Sequence, residues 1–403
     1  MIQSAQSARN QEPALQSGQG YSPRVDGSNS TSPLRRVFVV GLVGPSRLAC
    51  FEALRGFCDV TVISPALTLA GWIPFALPWR RGRCELPRGA FSHRRWLVRL
   101  LAPLVGHRLE TFYGRGDVVI IANPSFWPFA IHYRRLAPVV AYHVFDNYAA
   151  YPFIRLDQEM FVAKHVDLVF AVSRGIVDAL QRRCGFQLPS VHVIPNGFPG
   201  SWLPPSIPSE RQRLPDRLSE DFRPLIGVIG VISSRVDLLP VLAAHDALPA
   251  LRWLFIGPVY REVPGLAELQ SSPRCRFLGA LPYETLQPYF ATLDAALLPL
   301  TDDDINPCSS PVRFFSQLPT GQPILYTGTC AQIAETPSLA YHCADGQALT
   351  ATLKNLAATG FDDGRAEERH RFAMGCTWDQ RAAAIAQALE AVLEARSRPP
   401  AAR

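Results

Sequence analysis

At 403 residues the chain exceeds the size at which a single hydrophobic core keeps growing, so two domains are the default, and a hydrophobic content of 48% can fill both cores. The net charge of +6 is modest but concentrated: Arg80 to Arg115 holds nine arginines against two glutamates. Nine scattered cysteines with no Cys-x-x-Cys pair, and nine dispersed histidines, speak against a disulfide framework or a zinc site and for reduced thiols.

Residues 1–33 are rich in Gln, Ser, Gly and Asn, and no hydrophobic segment follows Arg9. They are expected to form a disordered lead-in, not a signal peptide. No apolar run reaches the ~18–20 residues that span a bilayer, and a cytoplasmic protein is expected. Short β-branched runs then recur, each followed by a helix-length segment: RVFVVGL (36–42), VTVIS (60–64), DVVIIAN (117–123), VVAYHVF (139–145), DLVFAVS (167–173) and VHVIP (191–195). Near-continuous apolar runs of this kind suit parallel strands buried on both faces.

Between the second and third runs lie GWIPFALPWRR (71–81) and FSHRRWLVRLLAPLV (91–105). Trp96, Leu97, Leu100, Leu101 and Leu104 fall at helical spacing, flanked by Arg94, Arg95 and Arg99. Tryptophan beside arginine on an amphipathic helix is the composition of a segment lying on anionic lipid. A surface helix facing its own core, or a phosphate-backbone contact to nucleic acid, would use the same residues. The expectation adopted is an anionic membrane surface, with no nucleic acid partner. Further on, the apolar run of AYHVFDNYAAY (141–151) ends in Asp146. A carboxylate at the carboxyl end of a parallel strand is placed as general bases are in open α/β folds; it could equally cap the next helix.

The segment 199–224 carries six prolines and alternating charges and reads as a linker. A second series of runs follows: LIGVIGVI (225–232), LRWLFIG (251–257), CRFLGA (275–280), DAALLPL (294–300), QPILYT (322–327) and LAYHC (339–343), with 364–396 helical. Two doubly wound α/β halves joined by a proline-rich hinge are therefore expected, with ligands in the cleft beyond the strands' carboxyl ends. In LIGVIGVISSRVDLLP (225–240), Gly230 permits close packing, and Ser233 and Arg235 are expected before a helix start, as in a phosphate cradle. An ordinary strand-to-helix turn would read alike. Asp302-Asp303-Asp304 offers an Asp-x-Asp metal clamp or a solvated acidic loop; no metal site is expected. In SSPVRFFSQLPTGQP (309–323), Ser309 or Ser310 suits the cap and Pro311 the first position of a short helix. Arg313 then lies in the first turn, where a cation opposes the helix dipole unless an anion docks there. Two arginine loops on one sheet edge could clamp a diphosphate.

LIGVIGVISSRVDLL, LRWLFIGPV, RCRFLGALPYETLQPYFATLDAALLPL and SSPVRFFSQLPTGQPIL resemble the C-terminal half of GT-B glycosyltransferases that elongate bacterial polysaccharides on lipid carriers. AYHVFDNYAAY, VDLVFAVSRGIVDAL and VHVIPNG follow in the order common to their N-terminal halves, and RFAMGCTWDQRAAAIAQALE resembles their closing segment. The nearest likeness is to the xanthan-type glucuronosyltransferase and teichuronic-acid-type transferases. The resemblance implies two Rossmann-like domains facing across a cleft: an acceptor-binding domain at 34–198, a linker at 199–223, a donor-binding domain at 224–375 and a last helix, 376–403, returning to the first. It implies Arg313 and Arg235 on the donor diphosphate with Ser310 in the same turn, Asp146 as general base, and Phe277, Gly279 and Tyr283 flanking the nucleobase. Two departures stand out. Ser316 replaces the long glutamate or glutamine that reaches the donor ribose or sugar in such enzymes. Pro319 falls where they continue the helix, so the helix is expected to end or kink near Leu318.

The function so implied is metal- and cofactor-independent transfer of a sugar, glucuronic acid or a hexose, from a UDP-linked donor. The acceptor would be a polyprenyl-diphosphate-linked glycan at the inner face of the plasma membrane, in exopolysaccharide assembly. Two rivals share the architecture: a sugar-nucleotide 2-epimerase, and a non-catalytic nucleotide-sugar-binding partner of a polysaccharide complex.

Overall fold

Two parallel sheets frame the computed structural model, which describes residues 32–41, 45–65, 83–86, 103, 107, 116–126, 137–151, 154–207 and 222–397. The lead-in through residue 31, the segment 71–81, the side chains of Arg94, Arg95, Trp96 and Arg99, and residues 208–221 of the linker lie outside that set.

The first half runs β1 (Arg36–Val40), α1 (Pro45–Leu54), β2 (Asp59–Pro65), β3 (Arg83–Leu86), β4 (Val118–Ile121), β5 (Val139–Val144), α2 (Leu156–His165), β6 (Leu168–Ala171), α3 (Arg174–Cys184) and β7 (Ser190–Val193). Its seven strands lie in the order β3-β2-β1-β4-β5-β6-β7, each neighbour parallel. Every residue of β4, β5 and β6 is buried, as two covered faces require. Six of these strands are the apolar runs. The seventh, β3, is Arg-Cys-Glu-Leu at the sheet's edge, where no alternation or apolar run marks it.

The second half runs β8 (Leu225–Ile229), α4 (Leu239–Ala247), β9 (Arg252–Ile256), α5 (Leu266–Ser271), β10 (Cys275–Phe277), α6 (Gln287–Thr292), β11 (Ala295–Pro299), α7 (Val312–Gln317), β12 (Ile324–Thr327), α8 (Ala331–Ala334) and β13 (Tyr341–His342), then α9 (Gly346–Ala358), α10 (Ala366–Ala373) and α11 (Trp378–Ser397). Its sheet order is β10-β9-β8-β11-β12-β13, again parallel throughout. In both sheets the strand order reverses beside the first strand, at β1/β4 and β8/β11. Such switch points open a crevice beyond the strands' carboxyl ends.

The C-terminal helical stretch is not continuous. Met374 to Thr377 break it between α10 and α11, and Thr377 bridges Phe198. Helix α11 then joins the core of the first sheet, where Trp378, Ala382, Ile385 and Leu389 pack in one buried cluster with Val37 and Phe38. The chain thus crosses between the halves twice. Eight described cysteines are free thiols. Among the described residues no helix is long and apolar enough to cross a membrane.

Candidate functional site

The crevice at the β8/β11 switch point is a cavity of about 450 Å³ lined from both halves of the chain. Phe145 and Asp146 come from the end of β5 and Asn196 from the turn after β7. The second half contributes Gly230, Ser233 and Arg235 beyond β8, Leu300 beyond β11, Ser309 to Arg313 ahead of and into α7, and Tyr283 and Ser316. Volume and lining suit a small-molecule site.

Asp146 is 8% exposed and accepts a hydrogen bond from the Tyr151 hydroxyl at 2.9 Å. On the facing wall, Arg313 is the second residue of α7. The residue is partly exposed, yet its Nη1 is shut off from solvent and has no hydrogen-bond partner. Burial, and then the neighbouring Arg235 charge, lower its pKa to about 10. Gly230 makes room for it: a Cβ there would lie 3.1 Å from Arg313 Nη1, and its φ of +141° suits only glycine. A buried guanidinium with an unpaired N–H and a cationic neighbour is a ready anion receptor.

Arg235 is placed differently from expectation. It lies in a turn well ahead of α4, which begins only at Leu239, so no helix start is shared with it. Its Nε and Nη2 instead donate to Asn306 Oδ1 at 3.1 and 2.9 Å, which aims the guanidinium and leaves Nη1 outside these bonds. Asn306 in turn donates to the Arg235 and Thr301 carbonyls, both at 3.0 Å. The cap of α7 is also corrected. Pro311 occupies it and no side chain caps the helix. The serine hydroxyls are engaged elsewhere: Ser309 Oγ donates to Asn306 O at 2.9 Å, and Ser310 Oγ accepts from Asn196 N at 2.9 Å. Ser310 therefore ties the two halves together, with Asn196 Nδ2 donating to its carbonyl at 2.6 Å. Neither asparagine was singled out from the sequence; the signals available were Pro-Asn-Gly after β7 and Asn-Pro after the aspartates.

At the other end of α7 the helix stops at Gln317 and a 3₁₀ turn, Leu318–Thr320, takes over, as Pro319 demands. Ser316 is buried, and Tyr283 OH lies 3.4 Å from its Oγ. The Tyr283 ring packs against Trp202 at a tilt of 37°, centroids 5.0 Å apart. Burial raises the pKa of its hydroxyl, opposed by Ser316 and Trp378. A tyrosine from another element thus brings a polar atom to the place where serine is short. Phe277 and Gly279 do not line the cavity. Phe277 stacks face to face on Phe255, centroids 4.3 Å apart, and Gly279 O accepts from Gly257 N at 2.8 Å.

The triple aspartate organises its own loop. Asp303 Oδ1 accepts from Ile305 N and Asn306 N at 2.9 and 2.6 Å, and Asp302 Oδ1 accepts from Thr329 Oγ1 at 2.6 Å. Among the described residues no three His, Cys, Asp or Glu side chains gather as a metal would need. A second cavity of about 310 Å³ shares Phe290 and Ser316 with the first, but its lining includes Asp362 and Asp363 and no cation, so an anionic ligand belongs in the first.

Residues 52–199 match the family model described as Glycosyltransferase Family 4. No curated protein sequence matches the chain. Among solved structures, sucrose-phosphate synthase from Thermosynechococcus elongatus superposes with a TM-score of 0.65 at 13% identity, over 90% of this chain and 100% of its own. An E. coli trehalose-6-phosphate structure bound with UDP-2-fluoro glucose gives 0.64 at 13% identity, over 88% and 99%. HepE from Anabaena in complex with UDP gives 0.57 at 16% identity, over 90% and 98%. The two-sheet fold is the GT-B fold of these structures, and residues 52–199 carry the likeness to Glycosyltransferase Family 4.

Proposed function

We propose that this chain transfers a glucuronosyl or hexosyl group from a UDP-linked donor to a polyprenyl-diphosphate-linked glycan in exopolysaccharide assembly. One observation carries the reading: Arg313, whose Nη1 is buried without a partner, and an oriented Arg235 share one cavity with a shielded carboxylate, Asp146. UDP in two of the similar folds supports the nucleotide. The choice of sugar and acceptor rests on the resemblance to xanthan-type and teichuronic-acid-type transferases.

In an inverting transfer Asp146 takes the proton of the acceptor hydroxyl as its oxygen bonds to the anomeric carbon, whereas in a retaining one it orients the substrate instead. The bond from that carbon to the diphosphate oxygen breaks, and Arg313 and Arg235 take up the charge that develops on the leaving UDP. Two guanidinium groups meet this demand without a metal. In this reading residues 34–198 bind the acceptor, 224–375 bind the donor, and the arginine-rich 80–99 segment holds the protein to anionic lipid. Tyr283 and Ser316 offer neutral hydroxyls to the donor's ribose or sugar.

Incubation with radiolabelled UDP-sugars and membrane glycolipid tests the proposal. Label entering lipid in the presence of EDTA is the expected result. Soluble converted sugar would replace it with epimerisation, and binding without turnover would replace it with a non-catalytic role. Activity lost to EDTA and restored by manganese would overturn the metal-free mechanism.

A further inference from the structure

The loop beyond β5 is fastened to the second half of the chain by a line of hydrogen bonds that ends beside Asp146. Glu159, wholly buried on α2, holds Arg183 of α3 through Oε2, at 3.1 Å from Nε and 2.8 Å from Nη2. The remaining arm of that guanidinium, Nη1, donates to Asn147 Oδ1 at 2.8 Å. This fixes the orientation of the amide, because its oxygen is committed to a cation. The Asn147 Nδ2 then points across the cleft and donates to the Asp304 carbonyl at 2.9 Å. Asp304 belongs to the turn that Asp303 folds by accepting from Ile305 N and Asn306 N. Asn306, in that same turn, holds the Arg235 guanidinium. Buried core, the Asp146 loop, the acidic turn and one diphosphate arginine are therefore consecutive links of one network.

We propose that Asn147 is a positioning residue that latches the Asp146 loop to the acidic turn, so that a diphosphate drawing on Arg235 also fixes Asp146 for proton transfer. The inference rests on the donor-site reading above. It gives the triple-aspartate loop a role other than metal binding: the turn carries the Asp304 carbonyl at one end and Asn306 at the other. Asn147 is not among the residues lining the cavity, so it acts through its neighbours. Loss of the latch should separate binding from turnover, because the arginines stay in place while the carboxylate loses its alignment.

Two variants isolate the bond. Asn147→Ala removes both contacts, whereas Asn147→Asp keeps an acceptor for Arg183 and removes only the donor to Asp304. Amide hydrogen exchange on the ligand-free proteins is the first readout. Peptides covering 301–306 should exchange several-fold faster in both variants, although the substitution lies in the other half of the chain. Unchanged exchange there overturns the latch without reference to any ligand. UDP is the second probe. In the wild type it should slow exchange in both 301–306 and 145–151, and in the variants in 301–306 alone. Equal protection of 145–151 in Asn147→Asp overturns the coupling. Turnover should fall about tenfold with the UDP Kd within twofold of wild type, and a Kd raised in proportion would instead make Asn147 part of the binding site and overturn its positioning role. A wild type that does not bind UDP refutes the donor-site reading, while the ligand-free comparison still decides the latch.

Discussion

Replacement of Arg313 by methionine should make the empty protein more stable and its donor site inert. The empty site holds the Arg313 charge against burial and the Arg235 field, which lower its pKa from the ordinary arginine value to about 10. At 1.36 kcal/mol per pH unit, holding that charge at neutral pH costs about 3 kcal/mol. The penalty is fully present below about pH 10, where the side chain stays protonated. Methionine removes it and forfeits some packing, about 1 kcal/mol for a methyl-sized gap. The net gain of about 1–2 kcal/mol corresponds to a rise of roughly 1–3 °C in thermal midpoint for a unit of this size. Loss of a charge-assisted contact worth about 1.5–3 kcal/mol should weaken UDP binding by roughly 10–100-fold. Differential scanning fluorimetry in phosphate-free buffer, with and without UDP, reads both effects. At ~100 times the wild-type Kd of UDP the wild type gains about 2.7 kcal/mol and a variant binding roughly 100-fold more weakly only about 0.4, so UDP should close or reverse the variant's lead. The pH profile has a definite sign as well: the wild-type advantage over Arg313→Met in UDP affinity should be constant below about pH 10 and shrink above it, as the guanidinium loses its proton. A variant that is less stable when empty, yet binds UDP as before, would refute this account of the arginine.

Three further substitutions probe the rest of the site and its support. Asp146→Asn should reduce transfer by ~10²–10⁴, the usual span for loss of a general base, with UDP affinity retained in calorimetry; wild-type turnover would exclude the carboxylate from the chemistry. Gly230→Ala should lose about 1–3 kcal/mol in urea denaturation and also weaken UDP binding, because a Cβ forces an unfavourable backbone at φ +141° and presses on Arg313 Nη1. Arg369→Leu should destabilise by about 3–5 kcal/mol, the penalty for stranding a buried charge: Arg369 is wholly buried, pairs with Asp363 and donates to the Leu339 and Gly321 carbonyls at 2.8 and 3.0 Å. Burial alone would raise the Asp363 pKa, but the Arg369 hydrogen bonds and charge outweigh it and the net shift is downward. The pair's stabilisation is therefore present above the ordinary carboxylate range and lost as pH falls through the Asp363 folded-state value. Denaturation midpoints of wild type and variant should converge in acid.

The fold was legible because its strands are buried on both faces. Burial of that kind writes itself into sequence as unbroken apolar runs, and β4, β5, β8 and β11 could be read directly. Edge strand β3 answers to no such constraint, and its Arg-Cys-Glu-Leu sequence carries no trace of pairing. At the site, charge was legible and geometry was not. Arg313 stood out because a cation in the first turn of a helix is a misfit, and Asp146 because a carboxylate ends an apolar run. The serines before α7 misled for a related reason. A hydroxyl before a helix suits a cap, but here Asn306 and Asn196 claim Ser309 and Ser310, and the first of those partners lies in a turn whose fold is set by Asp303.

Amides therefore do the work of arrangement in this cleft, and arginines the work of attraction. Asn306 aims Arg235, Asn196 joins the halves at Ser310, and Asn147 meets Asp304 beside the candidate base. The division has a physical reason. A charged crosslink between the halves would compete with the anionic ligand for the two guanidinium groups, whereas a neutral amide carries a donor and an acceptor without disturbing the field. Arg313 is left with no anion of its own and a lowered pKa. In the proposed function a donor diphosphate would meet that guanidinium's charge.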